Sequence, residues 1–147
     1  MAYAAQCYEK GLKRRGSSSA KTGCANCLGA LYYDGDGVPK DYDKAFQLLS
    51  YANSMGSSWG VCYLGKCYFR GWGTNQDYVK AREFLEKVDW TNREAFFMLG
   101  FIYGRGLGVP EDIKKGVEYL QKAGDNKEAK EELLKYKKTL FGKWVRR

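Results

Sequence analysis

The sequence predicts an all-α protein built from helical hairpins stacked in series, and three observations carry that expectation. The first is internal repetition. Gly29, Gly65 and Gly100 each follow a leucine (Leu28, Leu64, Leu99) and each precedes a tyrosine by three residues (Tyr32, Tyr68, Tyr103), at spacings of 36 and 35 residues. Periods of 20–50 residues signal repeat architectures whose units bury one another's apolar faces. The second is apolar periodicity of helical type inside every unit. The third is a Gly-x-Gly pair in each unit (Gly35 and Gly37, Gly71 and Gly73, Gly106 and Gly108), followed four residues later by an aspartate (Asp41, Asp77, Asp112).

The elements follow in chain order. Residues 1–23 read as a degenerate leading helix, Ala4 to Arg15, and a polar loop, Gly16 to Gly23, rich in serine. Residues 24–58, 59–93 and 94–124 are three repeats. The first helix of each, helix A, carries Cys24, Leu28, Leu31 and Tyr32, then Val61, Leu64, Cys67 and Tyr68, then Ala95, Leu99, Ile102 and Tyr103. The second, helix B, carries Phe46, Leu48, Leu49 and Ala52, then Ala81, Phe84, Leu85 and Val88, then Val117, Leu120 and Ala123.

A glycine suits the left-handed residue that ends helix A. The aspartates suit the N-cap of helix B, where a carboxylate accepts orphan backbone N–H bonds and favours the dipole. A glycine inside helix A would weaken an isolated helix by roughly 1 kcal/mol. Its return at one register predicts close approach to Ala45, Ala81 and Gly116 of the paired helix. Residues 125–147 are expected to form a charged capping helix, Asn126 to Lys138, and a basic aromatic tail in which Leu140, Phe141, Trp144 and Val145 recur at near-helical intervals.

The pattern leucine-glycine-x-x-tyrosine-x-x-glycine-x-glycine, then aspartate and alanine, resembles the Sel1-like repeat, a relative of the tetratricopeptide repeat, over residues 24–124. Unit two departs from it with Thr74 and Asn75 where Val-Pro stands elsewhere, and unit three with Gly116 for alanine. The resemblance implies a right-handed α/α superhelical solenoid whose members mostly act as adaptors in protein assemblies. Some secreted members carry a cysteine pair bridging every hairpin and have been linked to β-lactam binding. Here Ala52, Val88 and Ala123 occupy the place of the second cysteine, so that chemistry is not carried over.

Composition narrows the function classes. At 147 residues the chain is long enough for one domain with a real core. Its apolar runs are too short for a membrane span, and Met1 to Lys10 has no sustained apolar segment of the secretory type. The five cysteines fall at different repeat positions, which argues for reduced thiols and a cytoplasmic protein. Histidine is absent, which removes the commonest general base and the commonest neutral metal ligand.

Cys24, Cys27, Cys62 and Cys67 could be written as a zinc site, but Cys24 and Cys67 take positions held by core residues in the other units. Asp34 and Asp36 are neighbouring acids at a turn, where aspartate is ordinary. The Gly-x-Gly pairs lack the Gly-Lys-Ser/Thr ending of a phosphate loop. No catalytic residue, metal or cofactor is expected.

Function is therefore sought on a binding surface. Counting from the helix A glycine, the positions off the packing stripe hold Tyr33 and Asp34, then Lys66, Phe69 and Arg70, then Phe97, Phe101 and Arg105. Aromatic anchors beside cations fit a protein-binding concave face, and the same phenylalanines also fit packing between repeats. A net charge of +8, concentrated at the two ends, leaves nucleic-acid or other polyanion binding as the alternative. The tail from Tyr136 to Arg147 admits three roles: a cap on the last repeat, a phosphate-binding element with Trp144 stacking, or a membrane-surface helix.

Overall fold

The computed structural model describes residues 3–88 and 92–147. Those residues form eight helices and one short hairpin: α1 (Tyr3–Lys13), α2 (Ser18–Asp34), α3 (Tyr42–Ser54), α4 (Val61–Arg70), α5 (Tyr78–Leu85), α6 (Arg93–Arg105), α7 (Ile113–Lys122), α8 (Lys127–Leu133), β1 (Tyr136–Lys138) and β2 (Trp144–Arg146). The expected all-α repeat class is what is found. The chain divides into two compact units, Met1–Asp77 and Tyr78–Arg147. Their boundary falls inside the second sequence repeat, so α4 belongs to the first unit and α5 to the second.

In the first unit, α2 and α3 form the leading hairpin, with α1 packed on α2 and α4 on α3. Gly29 is the point of closest approach. A Cβ there would lie 2.8 Å from Leu49 Cγ and 3.4 Å from the Ala45 carbonyl, and Leu49 and Ala45 are fully buried. The helix A glycine thus exchanges intrinsic helix propensity for helix–helix contact. The apolar interior joins Ala5, Leu28, Tyr32, Tyr33, Val38, Ala45 and Cys67.

The N-terminal segment differs from the sequence expectation. Gly16 to Gly23 is not a loop: Ser17 caps α2 by accepting from the Ala20 amide at 3.3 Å, and the helix begins at Ser18. A serine cluster has the composition of a loop and of a helix start alike, because the hydroxyl competes for backbone bonds in both.

The second unit repeats the hairpin with α6 and α7. Gly100 would place a Cβ 2.7 Å from Leu120 Cγ and 2.9 Å from the Gly116 carbonyl. Gly116 stands where alanine is usual because α6 comes closer still: a Cβ on Gly116 would be 2.5 Å from Gly104 Cα.

The turns use one device in every repeat. Helix A ends at a left-handed glycine, with φ of 72° at Gly35, 73° at Gly71 and 64° at Gly106. The chain then reverses until the aspartate amide donates to the carbonyl of the repeat tyrosine: Asp41 to Tyr32, Asp77 to Tyr68 and Asp112 to Tyr103, each at 2.9 Å. That bond satisfies a carbonyl the helix end would otherwise leave orphaned. Asp41 and Asp112 also cap helix B, accepting from the Lys44 and Lys115 amides at 3.0 and 2.9 Å.

The C-terminal segment is the second departure. The charged helix stops at Leu133 rather than Lys138, and the chain continues as an antiparallel hairpin pairing Tyr136 with Arg146, Lys137 with Val145 and Lys138 with Trp144. Leu140 and Phe141 do not cover the last repeat. They sit fully exposed at the hairpin tip, and the side chain buried on α6 is Tyr136, only 2% exposed.

Candidate protein-binding face

The sequence-predicted surface residues fall into two groups. On the first unit, Tyr33 and Asp34 close α2, while Lys66, Phe69 and Arg70 lie along α4. Tyr33 and Phe69 are buried, at 6% and 4% exposure, and so form a floor rather than a surface. Around Tyr33 the structure gathers an aromatic array. Its ring meets Tyr63 edge-on at 5.0 Å, Tyr42 edge-on at 5.4 Å and Trp72 at 5.8 Å. Tyr42 stacks on Trp72 at 4.5 Å, and Trp59 stacks on Tyr63 at 6.1 Å. Offset and edge-on pairs of this kind add to simple area burial and stiffen the surface they form.

Cations sit over the array. Lys66 Nζ lies 5.3 Å from the Tyr63 centroid and 5.7 Å from that of Tyr33. The Arg70 guanidinium lies 5.4 Å from the Phe69 ring and 5.9 Å from the Trp72 ring. At such distances a ring face attracts the charge. Asp34, exposed at the rim, accepts from the Tyr63 hydroxyl at 3.1 Å. Trp59 is 57% exposed, whereas Tyr63, Lys66, Arg70 and Trp72 are half-buried.

Sequence reasoning did not single out Trp59, Tyr63, Tyr42 and Trp72. Two signals were available. Trp59, just before the N-cap Gly60, and Tyr63, in the first turn of α4, are two aromatics four residues apart. Trp72 occupies the middle of a Gly-x-Gly pair, a site otherwise held by Asp36 and Leu107.

On the second unit, Phe97, Phe101 and Arg105 form a column along α6. Phe97 is buried, Phe101 lies 6.0 Å from it, and the Arg105 guanidinium covers the Phe101 ring at 4.3 Å. Arg105 is committed elsewhere as well. Its Nε and Nη2 donate to the two oxygens of Glu132 at 2.8 and 2.9 Å, and Lys135 Nζ donates to the same carboxylate at 2.7 Å.

Glu132 is 3% exposed. Burial alone would raise its pKa, but the bonds from Arg105 and Lys135 prevail and hold it below the ordinary glutamate range. The hydrogen bond to Glu132 raises Arg105 correspondingly. This two-pronged bond clamps α8 onto α6.

None of the five cysteines forms a disulfide. Cys67 is fully buried, and burial pushes its thiol up to about 12, so it packs as a small apolar group rather than a nucleophile. Cys24 Sγ fills the space above Gly11 of α1. Among the described residues no three Cys, Asp or Glu side chains converge to hold a metal ion, and no helix is long and apolar enough to cross a membrane.

Paired helices closed by a common glycine–aspartate turn define an α-helical repeat protein. The Sel1 repeat pattern matches residues 25–57, 60–87 and 94–127, and the chain belongs to the Sel1 repeat family. Among solved structures it is similar to a Sel1 repeat protein from Oxalobacter formigenes, with a TM-score of 0.59 and 25% identity over 84% of this chain and 50% of that one. It is also similar to c5321, a protective antigen present in uropathogenic Escherichia coli strains that displays an SLR fold, with a TM-score of 0.63 and 29% identity over 82% of this chain and 26% of that one. The chain therefore spans half or less of the length of these relatives. No curated protein gives a significant sequence match. Sel1 repeats generally mediate protein–protein interaction, and the family is typically a non-catalytic scaffold.

Proposed function

We propose that this protein is a non-catalytic adaptor that holds a segment of another protein on the aromatic–basic face of its first unit. Trp59, Tyr63 and Trp72 supply the contact area, Lys66 and Arg70 supply the charge, and Tyr33 and Phe69 form the rigid floor beneath. On the second unit, taken by itself, Phe101 stands at the repeat position that Lys66 holds in the first, with Phe97 behind it, while Arg105 serves chiefly to hold α8. The observation that carries the reading is Trp59, a tryptophan more than half exposed at the end of a stacked array with cations over its rings. Aromatic residues and arginine are enriched where interfaces concentrate their energy, and such rings cost little ordering entropy on binding. Asp34 at the rim adds a polar selector. A segment carrying an apolar side chain flanked by acidic residues suits this surface best. Cysteines that form no disulfide suit a reducing compartment, in keeping with a cytoplasmic adaptor.

Affinity enrichment from native lysate, with the intact chain and with Trp59→Ala, tests the reading. The account expects the variant to lose the captured protein while melting at the wild-type temperature. Equal capture by the two chains would exclude this face as the docking site.

A further inference from the structure

From the C-terminal hairpin we infer a second site: a wedge that docks the protein on an anionic lipid bilayer. This inference does not rest on the adaptor reading.

The base of the hairpin is fixed to its own unit. Tyr136 is buried against Gly104, where a Cβ would come within 2.5 Å of its hydroxyl. Arg146 Nη2 donates to the Gly104 carbonyl at 2.7 Å and to Glu111 at 2.8 Å. The tip is an ordered turn. The Thr139 amide donates to the Lys143 carbonyl at 2.8 Å, the Gly142 amide to the Thr139 carbonyl at 2.9 Å, and the Lys143 amide to Thr139 Oγ1 at 3.1 Å. Gly142 supplies the left-handed residue, with φ of 78°. Between these bonds stand Leu140 and Phe141, at 103% and 98% exposure.

Such turn positions ordinarily carry aspartate, asparagine, serine or proline. A leucine and a phenylalanine there gain nothing from the fold, and the turn holds both in water.

Charge decides what covers them. Residues 135–147 contain Lys135, Lys137, Lys138, Lys143, Arg146 and Arg147 and no acid. Lys138 and Lys143 are exposed and stand within two residues of the apolar pair, roughly 7 Å back along the strands. An apolar tip entering about 5–10 Å would therefore bring both ammonium groups to phosphate level. Trp144, half-buried and one residue further on, would lie in the belt that indoles favour. The nearest acids are accounted for: Glu111 pairs with Arg146, while Asp112 and Glu118 lie with Lys114 and Lys115 in the groove beside Trp144. A nucleic acid would use the lysines and leave Leu140 and Phe141 in water. An apolar pocket on a protein would take the pair and find no use for a ring of cations. An anionic bilayer uses both.

Vesicle flotation tests the inference, using phosphatidylcholine alone and phosphatidylcholine with about one-third phosphatidylserine. The full chain should float with the anionic vesicles and not with the neutral ones. Leu140→Ser/Phe141→Ser should weaken partitioning by about tenfold or more with an unchanged melting temperature. Lys138→Gln/Lys143→Gln should weaken it by about 25-fold, from roughly fivefold per lysine. Trp59→Ala should float like the wild type, which separates this site from the adaptor face. Failure to float with anionic vesicles would overturn the wedge. So would flotation unaffected by Leu140→Ser/Phe141→Ser, or binding of a single-stranded oligonucleotide with no binding of vesicles.

Discussion

Arg70 and Arg105 occupy the same place in successive repeats, five residues after the helix A glycine, and the structure uses them differently. In the first unit Arg70 lies over Phe69 and Trp72 on an aromatic surface. In the second, Arg105 lies over Phe101 but spends its fork on Glu132, holding α8 in place. Repeat register decides which way a side chain leaves its helix. What stands opposite decides whether the side chain offers a contact or closes one. A solenoid unit that must be capped turns recognition positions into structural ones, because its outer face would otherwise stay wet.

Substitutions that break this contrast should act in a definite order. The largest effect belongs to Gly116→Val. A Cβ alone would meet Gly104 Cα, and backbone cannot give way as a flexible side chain can. A loss of about 3 kcal/mol or more is expected in chemical denaturation.

Glu132→Ala comes next. It removes a buried carboxylate that receives Arg105 and Lys135, both of which can turn toward water, so the cost is set at about 2 kcal/mol. The same clamp should respond to acid. Because the folded state holds Glu132 below its ordinary range, its contribution is complete above that range. It is lost as pH falls through the depressed folded value. The difference in denaturation midpoint between wild type and Glu132→Ala should accordingly be constant at neutral pH and shrink in acid.

Asn126→Ala is expected to cost about 1 kcal/mol. It deletes the side-chain oxygen that accepts from the Ala129 amide at 2.9 Å and starts α8. A cost near zero would mean that α8 is held by Glu132 alone. Trp59→Ala, at the other end of the series, should stay within about 0.5 kcal/mol of wild type, as exposed positions do.

The repeats were legible in the sequence because they are written three times. Gly29 and Gly100 marked close helix contact, and the Gly-x-Gly and aspartate positions marked turns and caps, each with a physical reason available before any coordinates. The ends were less legible because they occur once. Ser17 to Ser19 have the composition of a loop, and only the capping geometry distinguishes a helix start. Leu140, Phe141, Trp144 and Val145 are spaced as on a helix, yet Tyr136, Thr139, Trp144 and Val145 favour strands, and Gly142 takes a conformation no helix contains. The charged helix stops early for the same reason.

The surface was half legible. Counting along helix A brought Tyr33, Lys66 and Arg70 to one region, but pairwise spacing could not reveal that Tyr33 lies beneath Tyr63 and Trp72. Nor could it reveal that Glu132, far along the chain, occupies Arg105.

The most direct test is capture and melting measured together for Trp59→Ala against wild type. The account predicts loss of the captured protein with an unshifted melting temperature. Retained capture would exclude this face as the docking site, and a melting temperature lowered as far as that of Glu132→Ala would show the aromatic array to be core; either result contradicts the assignment.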